Sequence, residues 1–192
     1  MATCRRSYRN IQMPIEIEKK YRLTEKQRRA VVGQLRALGL KPRPVEFEEN
    51  TIYRGPSLEP GRRALRLRRV NDRAILTFKE RVPTASAIKH QEEHEAGVVD
   101  ADAVHAILNS LGFEPAVVYE KRRTRWQVGK ATVVIDELPF GLFMEIEASE
   151  KEIRRVEKKI GAEGFEAVHE TYPSLTAKLG RKRKRIIEAR FK

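Results

Sequence analysis

Polar and apolar positions in this chain follow two rhythms. Between residues 14 and 22 charge alternates with hydrocarbon, so that Glu16, Glu18 and Lys20 share one face of a strand while Ile15 and Ile17 take the other. The same period of two returns in Leu65-Arg66-Leu67-Arg68, Leu76-Thr77-Phe78-Lys79, Glu93-His94-Glu95, Lys121-Arg122-Arg123-Thr124-Arg125 and Met144-Glu145-Ile146-Glu147. With the turn residues between them, these patterns predict strands over 14–22, 46–54, 64–70, 74–79, 91–98, 117–128, 131–136 and 142–148. Asn71-Asp72 and Gly129-Lys130 read as tight turns, and 81–90 as a flexible loop. A helical rhythm opens at the capping box Thr24–Gln27, places Ala30, Val31, Leu35 and Leu38 on one side, and stops at Gly39. Further helices are expected from Asp100 to Leu111, over 149–160, and from Pro173 to about residue 190.

Strands that are mostly neighbours in sequence, joined by hairpins, indicate an antiparallel α+β architecture. The expectation is an eight-stranded antiparallel closed β-barrel, a tunnel, with helices packed outside. A single Glu-x-Glu or Arg-x-Arg on a half-exposed strand is ordinarily its solvated face. The repetition changes that reading, because the leucines and isoleucines opposite the charges also need cover. If helices cover the apolar faces, the charged faces meet one another inside. Buried charge is tolerable when it is paired, wet, or bound to ions. Clustered carboxylates are hard ligands for Mg²⁺ or Mn²⁺, and Arg and Lys suit phosphate.

Composition narrows the picture further. A length of 192 residues with 40% hydrophobic content suits one globular domain with a full core. The net charge is +13, but residues 1–9 carry +3 of it and residues 181–192 carry +6, so the body is close to neutral. This divides the chain into a basic N-terminal extension (1–13), a tunnel domain (14–180) and a basic C-terminal tail (181–192), the last read as a frayed terminus able to contact nucleic acid or polyphosphate. There is no apolar run long enough for a membrane helix and no apolar leader, and Cys4 is the only cysteine. A cytoplasmic protein without membrane contact is expected. Walker A, Rossmann and His-Glu-x-x-His patterns are absent, as is Gly-x-Ser-x-Gly. His90 and His94 are the histidines nearest the charged strands.

Glu16-x-Glu18-x-Lys20, the Leu-Arg-Leu-Arg strand at 65–68, Lys79, Glu93/Glu95, Glu120-Lys-x-Arg123, Asp136 with the closing Glu145-Ile-Glu147, and Tyr172-Pro-Ser-Leu occur in an order that resembles the CYTH family, the triphosphate tunnel metalloenzymes. The resemblance implies an eight-stranded tunnel, dependence on Mg²⁺ or Mn²⁺, and a triphosphate-containing small molecule as substrate. It implies that Glu16, Glu18, Asp136, Glu145 and Glu147 hold metal, with Glu93 and Glu95 binding a second ion or orienting cations. Lys20, Arg66, Arg68, Lys79, Lys121, Arg123 and Arg125 would grip phosphates, and Lys79, Glu95 and Arg123 would act directly in catalysis. Asn50 stands where an aspartate is common in the family. Residues 80–98 also lack the tyrosine that some relatives pair with the lysine at 79, leaving the general base unassigned. The expected function is hydrolysis of the terminal phosphoanhydride of a triphosphate: inorganic triphosphate first, then thiamine or nucleoside triphosphates. Rival readings are a class IV-type adenylate cyclase and a noncatalytic polyphosphate- or RNA-binding module.

Overall fold

The computed structural model describes residues 17–71, 73–82 and 90–192. In chain order these form β1 (Glu18–Leu23), α1 (Glu25–Ala37), β2 (Glu46–Arg54), β3 (Arg63–Val70), β4 (Arg73–Val82), β5 (His90–Val98), α2 (Ala101–Ser110), β6 (Glu114–Val128), β7 (Ala131–Leu138), β8 (Gly141–Glu147), α3 (Glu150–Ile160), α4 (Tyr172–Leu179), β9 (Arg181–Arg183) and β10 (Ile186–Ala189). The sheet runs β1-β8-β7-β6-β2-β3-β4-β5, every neighbour antiparallel. This is the expected α+β tunnel architecture with two strands more than the eight read from the sequence. Among the described residues no strand pairing joins β1 to β5, so the seam between those edges is not bridged. The anticipated loop at 81–90 is shorter, because strand pairing extends to Val82 and His90; residues 83–89 and Asp72 lie outside the described residues.

Alternation decides what each face contacts. Outward side chains of β1, β6, β7 and β8, among them Tyr21, Leu23, Trp126, Val133, Ile135, Met144 and Ile146, bury against Val31 and Leu35 of α1 and Ile153, Val156 and Ile160 of α3. The first of these helices keeps the capping box, with the Gln27 amide donating to Thr24 Oγ1 and the Thr24 amide to Gln27 Oε1. Leu65, Leu67 and Tyr53 bury with Ala101 and Leu108 of α2. With the apolar faces covered by helices, the charged faces are left to line the interior.

The inner face is not charged throughout. Tyr119, Phe143 and Leu138 gather with Tyr172 and Leu175 of α4 and Ala189 of β10. Tyr119 has the same parity on β6 as Lys121 and Arg123, and Phe143 the same parity on β8 as Glu145 and Glu147. Thus α4 plugs the apolar end of the tunnel and leaves the other end charged.

The C-terminus departs from its expected form. Rather than one helix over 173–190, α4 stops at Leu179 and the chain turns back as the β9–β10 hairpin. β10 lies parallel to β6 at Val117–Tyr119, on the stretch of that strand left free where β7 begins its pairing at Arg122. Five consecutive cations, with Arg181 and Arg185 one helical turn apart, oppose helix continuation. β-branched Ile186 and Ile187 favour a strand. Residues 181–189 therefore form an ordered hairpin attached to β6 rather than a frayed terminus. Gly180 makes the reversal possible: a Cβ there would lie 2.6 Å from the Thr176 carbonyl oxygen and 2.8 Å from that of Glu188. Gly180→Ala is expected to cost about 1–3 kcal/mol through this overpacking, measured as a lower urea midpoint at unchanged m-value.

Candidate active site

The interior brings together most of the charged residues picked out by alternation. At its centre lies Asp136, wholly buried on β7. Arg123 on β6 sits directly opposite in register and donates both Nε (2.7 Å to Oδ1) and Nη2 to it. The same Nη2 reaches across β7 to Glu145 Oε2 on β8 at 2.6 Å. Tyr172, carried in by α4, donates its hydroxyl to Asp136 Oδ2 at 2.8 Å. Its ring lies 4.1 Å below Lys20 Nζ and 5.3 Å from Lys121 Nζ, a cation–π contact with each. Lys20 is 3.2 Å from Glu145.

Glu48 on β2 is the second buried centre, with none of its surface exposed. Lys121 approaches it to 3.2 Å, Arg68 to 3.5 Å, Arg125 to 3.7 Å and Arg123 to 3.9 Å. Asn50 donates to Glu48 at 3.4 Å and accepts from Arg68 Nε at 3.3 Å. Arg125 also pairs with Glu46. Neither Glu46 nor Glu48 was singled out from the sequence, although Glu46-Phe47-Glu48-Glu49-Asn50 shows the same two-residue alternation as the segments that were. Asn50 links the Arg68 guanidinium to the Glu48 carboxylate.

Farther along the sheet, Lys79 Nζ donates to Glu93 at 2.7 Å and Thr77 to Glu95 at 2.9 Å. Arg66 lies 3.6 Å from Glu95 and 4.0 Å from Glu93. Both carboxylates thus lie within ion-pair distance of cations. Arg66 gives Nη2 to Thr77 at 3.3 Å, while its buried Nε has no hydrogen-bond partner among the described residues.

Carboxylates gather in one further place. Oxygens of Glu18 on β1 and of Glu145 and Glu147 on β8 all lie within 4.8 Å of one another. An octahedral ion with bonds of about 2.1 Å spans about 4.2 Å between opposite ligands, so modest rotation of these flexible side chains would close a site of hard oxygen donors. Glu16 lies outside the described residues. Asp136 is placed apart from this trio, facing Arg123, Lys121 and Tyr172. His94 stacks outward on Phe78 at 6.4 Å, and nothing is described for the His90 side chain.

Burial and pairing work against each other on these groups. Burial alone raises the Asp136 carboxyl, but Lys121 and Arg123 overcome it and hold the group well below the usual range. The same contest leaves Glu48 lowered by Lys121, Arg68 and Arg123. Burial pulls the Lys121 ammonium down despite its acidic neighbours, and pulls Arg66 down with further push from Arg68. Carboxylates with depressed folded-state pKa values add stability above their unfolded values near 4 and lose it as pH falls through the folded values. Thermal unfolding followed by circular dichroism is expected to show a melting temperature insensitive to Asp136 and Glu48 between pH 6 and 8, then a fall below about pH 4. Asp136→Asn should reduce that acid dependence.

A model of the CYTH domain matches residues 14–176. The chain belongs to the CYTH family. CYTH members include triphosphatases and class IV adenylate cyclases, and the family's enzymes are metal-dependent. Among solved structures, PH1012 of Pyrococcus horikoshii OT3 is similar at 25% identity and TM-score 0.70, over 83% of this chain and 98% of that one. A conserved protein of Pyrococcus furiosus, Pfu-838710-001, follows at 22% and 0.68, over 83% and 99%. HpAC1 from Hippeastrum, a proposed adenylyl cyclase described as revealing a dominant triphosphatase activity, shares the fold at 18% and 0.63, over 83% and 93%. No curated protein matched the sequence. The CYTH match ends at residue 176, whereas the sheet of this chain continues through β10.

Proposed function

We propose that this CYTH protein is a triphosphatase that hydrolyses the terminal phosphoanhydride of inorganic triphosphate. The observation that carries the reading is an enclosed strip of cations, Arg66, Arg68, Lys121, Arg123 and Arg125, containing an orphaned buried donor and lying on the same inner face as the Glu18–Glu145–Glu147 trio. The contacts of Arg68, Arg123 and Arg125 with Glu48 are long, 3.5–3.9 Å, so phosphate oxygens can replace them with shorter charge-assisted bonds.

Glu18, Glu145 and Glu147 are the residues that would hold Mg²⁺ or Mn²⁺. Bound there, such an ion would supply charge neutralisation of the phosphate chain. The chain's own groups supply the rest. Arg66 and Arg68 bind and align the phosphates. Arg123, fixed by Asp136, and Lys121, fixed by Glu48 and Asp136, offset the charge that grows on the bridging oxygen as its bond to the terminal phosphorus breaks. Lys79, held by Glu93, directs the terminal phosphate. Burial works to raise the Glu95 carboxyl, but Thr77, Arg68 and Arg66 lower it, so it is ionised at neutral pH and able to orient the attacking water. Water adds to the terminal phosphorus, and pyrophosphate leaves with the bridging oxygen.

Substrate choice rests on what the inner face lacks. Its aromatic rings, Tyr119, Phe143 and Tyr172, are all buried in the plug, with Lys20 lying over Tyr172. Among the described residues none is free to stack on a nucleobase or a thiamine ring. A phosphorus NMR assay of inorganic triphosphate, thiamine triphosphate and ATP, each with Mg²⁺ and Mn²⁺, tests this. The expected result is fastest release of orthophosphate from inorganic triphosphate. Cyclic AMP and pyrophosphate from ATP would replace this reading with the cyclase.

A further inference from the structure

We propose that the β9–β10 hairpin is a docking surface for the phosphate backbone of duplex nucleic acid. Arg181, Lys182, Arg183, Lys184 and Arg185 follow one another without interruption, and all five are exposed. Only Arg183 has a carboxylate within ion-pair distance among the described residues, Glu188 at 3.7 Å. Elsewhere on the surface arginines are commonly matched: Arg54 with Glu114, Arg122 with Glu137, Arg190 with Glu49 and Glu120. Charge on a short edge strand can serve simply to block edge-to-edge pairing. One or two cations do that, whereas here five adjacent cations share a single ion pair among the described residues and repel each other in the free protein.

The cations are also held in place. β10 is tied to β6 on one side and to β9 on the other, and Arg54 Nη1 donates to the Arg185 carbonyl at 3.0 Å. The loop Lys184-Arg185 closes the hairpin with Lys184 at φ 56°, where glycine or asparagine is the unstrained choice. A lysine there keeps charge at the tip at the expense of turn propensity. Because the backbone is ordered before any ligand arrives, less conformational entropy is lost on binding than by a flexible tail.

Spacing and surroundings select the ligand. Same-face residues on a strand are about 7 Å apart, a pitch suited to successive phosphates of a nucleic-acid strand. Single-strand binding relies on exposed aromatic platforms. The only aromatic residue in 181–192 is Phe191, which lies against Phe47 at 6.4 Å and under the Arg122 guanidinium at 4.1 Å. The surface therefore suits a backbone whose bases are already paired. It also stands clear of the carboxylate trio: β10 meets β6 at Val117–Tyr119, while Glu145 aligns through Val134 with Arg125, about 20–26 Å up the strand at about 3.3 Å per residue.

The test is fluorescence anisotropy of the full-length protein with a labelled RNA duplex of about two helical turns, over about 50–200 mM salt. The wild-type protein is expected to bind with a log–log salt slope of about −3 to −4. Arg181→Gln/Lys182→Gln/Lys184→Gln/Arg185→Gln is expected to weaken binding at least tenfold at low salt and to leave triphosphate hydrolysis unchanged. Lys184→Glu/Arg185→Glu, confined to the loop, should weaken binding similarly if the fourfold variant fails to fold. Absence of duplex binding by the wild type, equal binding by folded variants, or hairpin-dependent capture of anionic vesicles or inorganic polyphosphate in place of the duplex would each overturn the proposal.

Discussion

Arg123→Leu is expected to be the most destabilising single substitution in the interior. The guanidinium bridges two buried carboxylates, Asp136 and Glu145, and approaches a third, Glu48. Burial opposes its charge, yet those acids hold its proton far more firmly than in water. Removing one partner of a buried ion pair leaves the other charge without compensation, which costs about 3–5 kcal/mol. Leucine fills part of the volume but offers no donor. Urea unfolding at pH 7.5 should show that loss, and the deficit should shrink as pH is lowered and the orphaned carboxylates take up protons. Arg123→Lys should recover part of the stability, since a point charge replaces Coulombic attraction but not the bidentate fork. A folded Arg123→Leu protein with wild-type stability would show that the carboxylates do not depend on it.

Glu147→Gln is expected to have the largest functional effect at little structural cost. Glu147 is partly exposed at the charged end of β8 and belongs to the carboxylate trio with Glu18 and Glu145. The amide preserves shape but lacks the negative charge that a hard cation selects. Calorimetric titration with Mn²⁺ should show a loss of affinity of at least tenfold. Phosphate release should fall on the order of a hundredfold, the scale of removing one preorganised electrostatic group. Glu145→Gln should give a similar loss of metal together with measurable destabilisation, because Glu145 also neutralises Lys20 and Arg123. Metal affinity untouched by both substitutions would remove the trio from the site.

What could be read from the sequence was what depends on local alternation. Glu18/Lys20, Arg66/Arg68, Lys121/Arg123 and Glu145/Glu147 each declared a strand with a charged face, and their recurrence implied that those faces meet. Glu48 is less legible because 46–54 mixes adjacent acids with apolar residues, although period two places Glu46, Glu48 and Asn50 on one face. The plug by α4 could not be read at all. Tyr172 reaches Asp136 only because the chain returns across the sheet after α3, a contact 36 residues apart in sequence. The C-terminal hairpin is hidden because a run of cations carries no periodicity, leaving only Ile186-Ile187 and Gly180 to mark a strand and a reversal. The roles of Asp136 and Glu48 likewise follow from their cross-strand partners, which a single strand's pattern does not specify.

The central claim is that one enclosed face seats the metal and the phosphate chain together. The most direct measurement is a crystal structure grown with Mn²⁺ and a non-hydrolysable imido analogue of triphosphate, with anomalous data at the manganese edge. The expected result is an anomalous peak coordinated by Glu18, Glu145 and Glu147, with phosphate oxygens on Arg66, Arg68, Lys121 and Arg123 and the long contacts of Arg68 and Arg123 with Glu48 displaced. Manganese elsewhere, or an analogue bound outside the tunnel while these ion pairs stay intact, would contradict it.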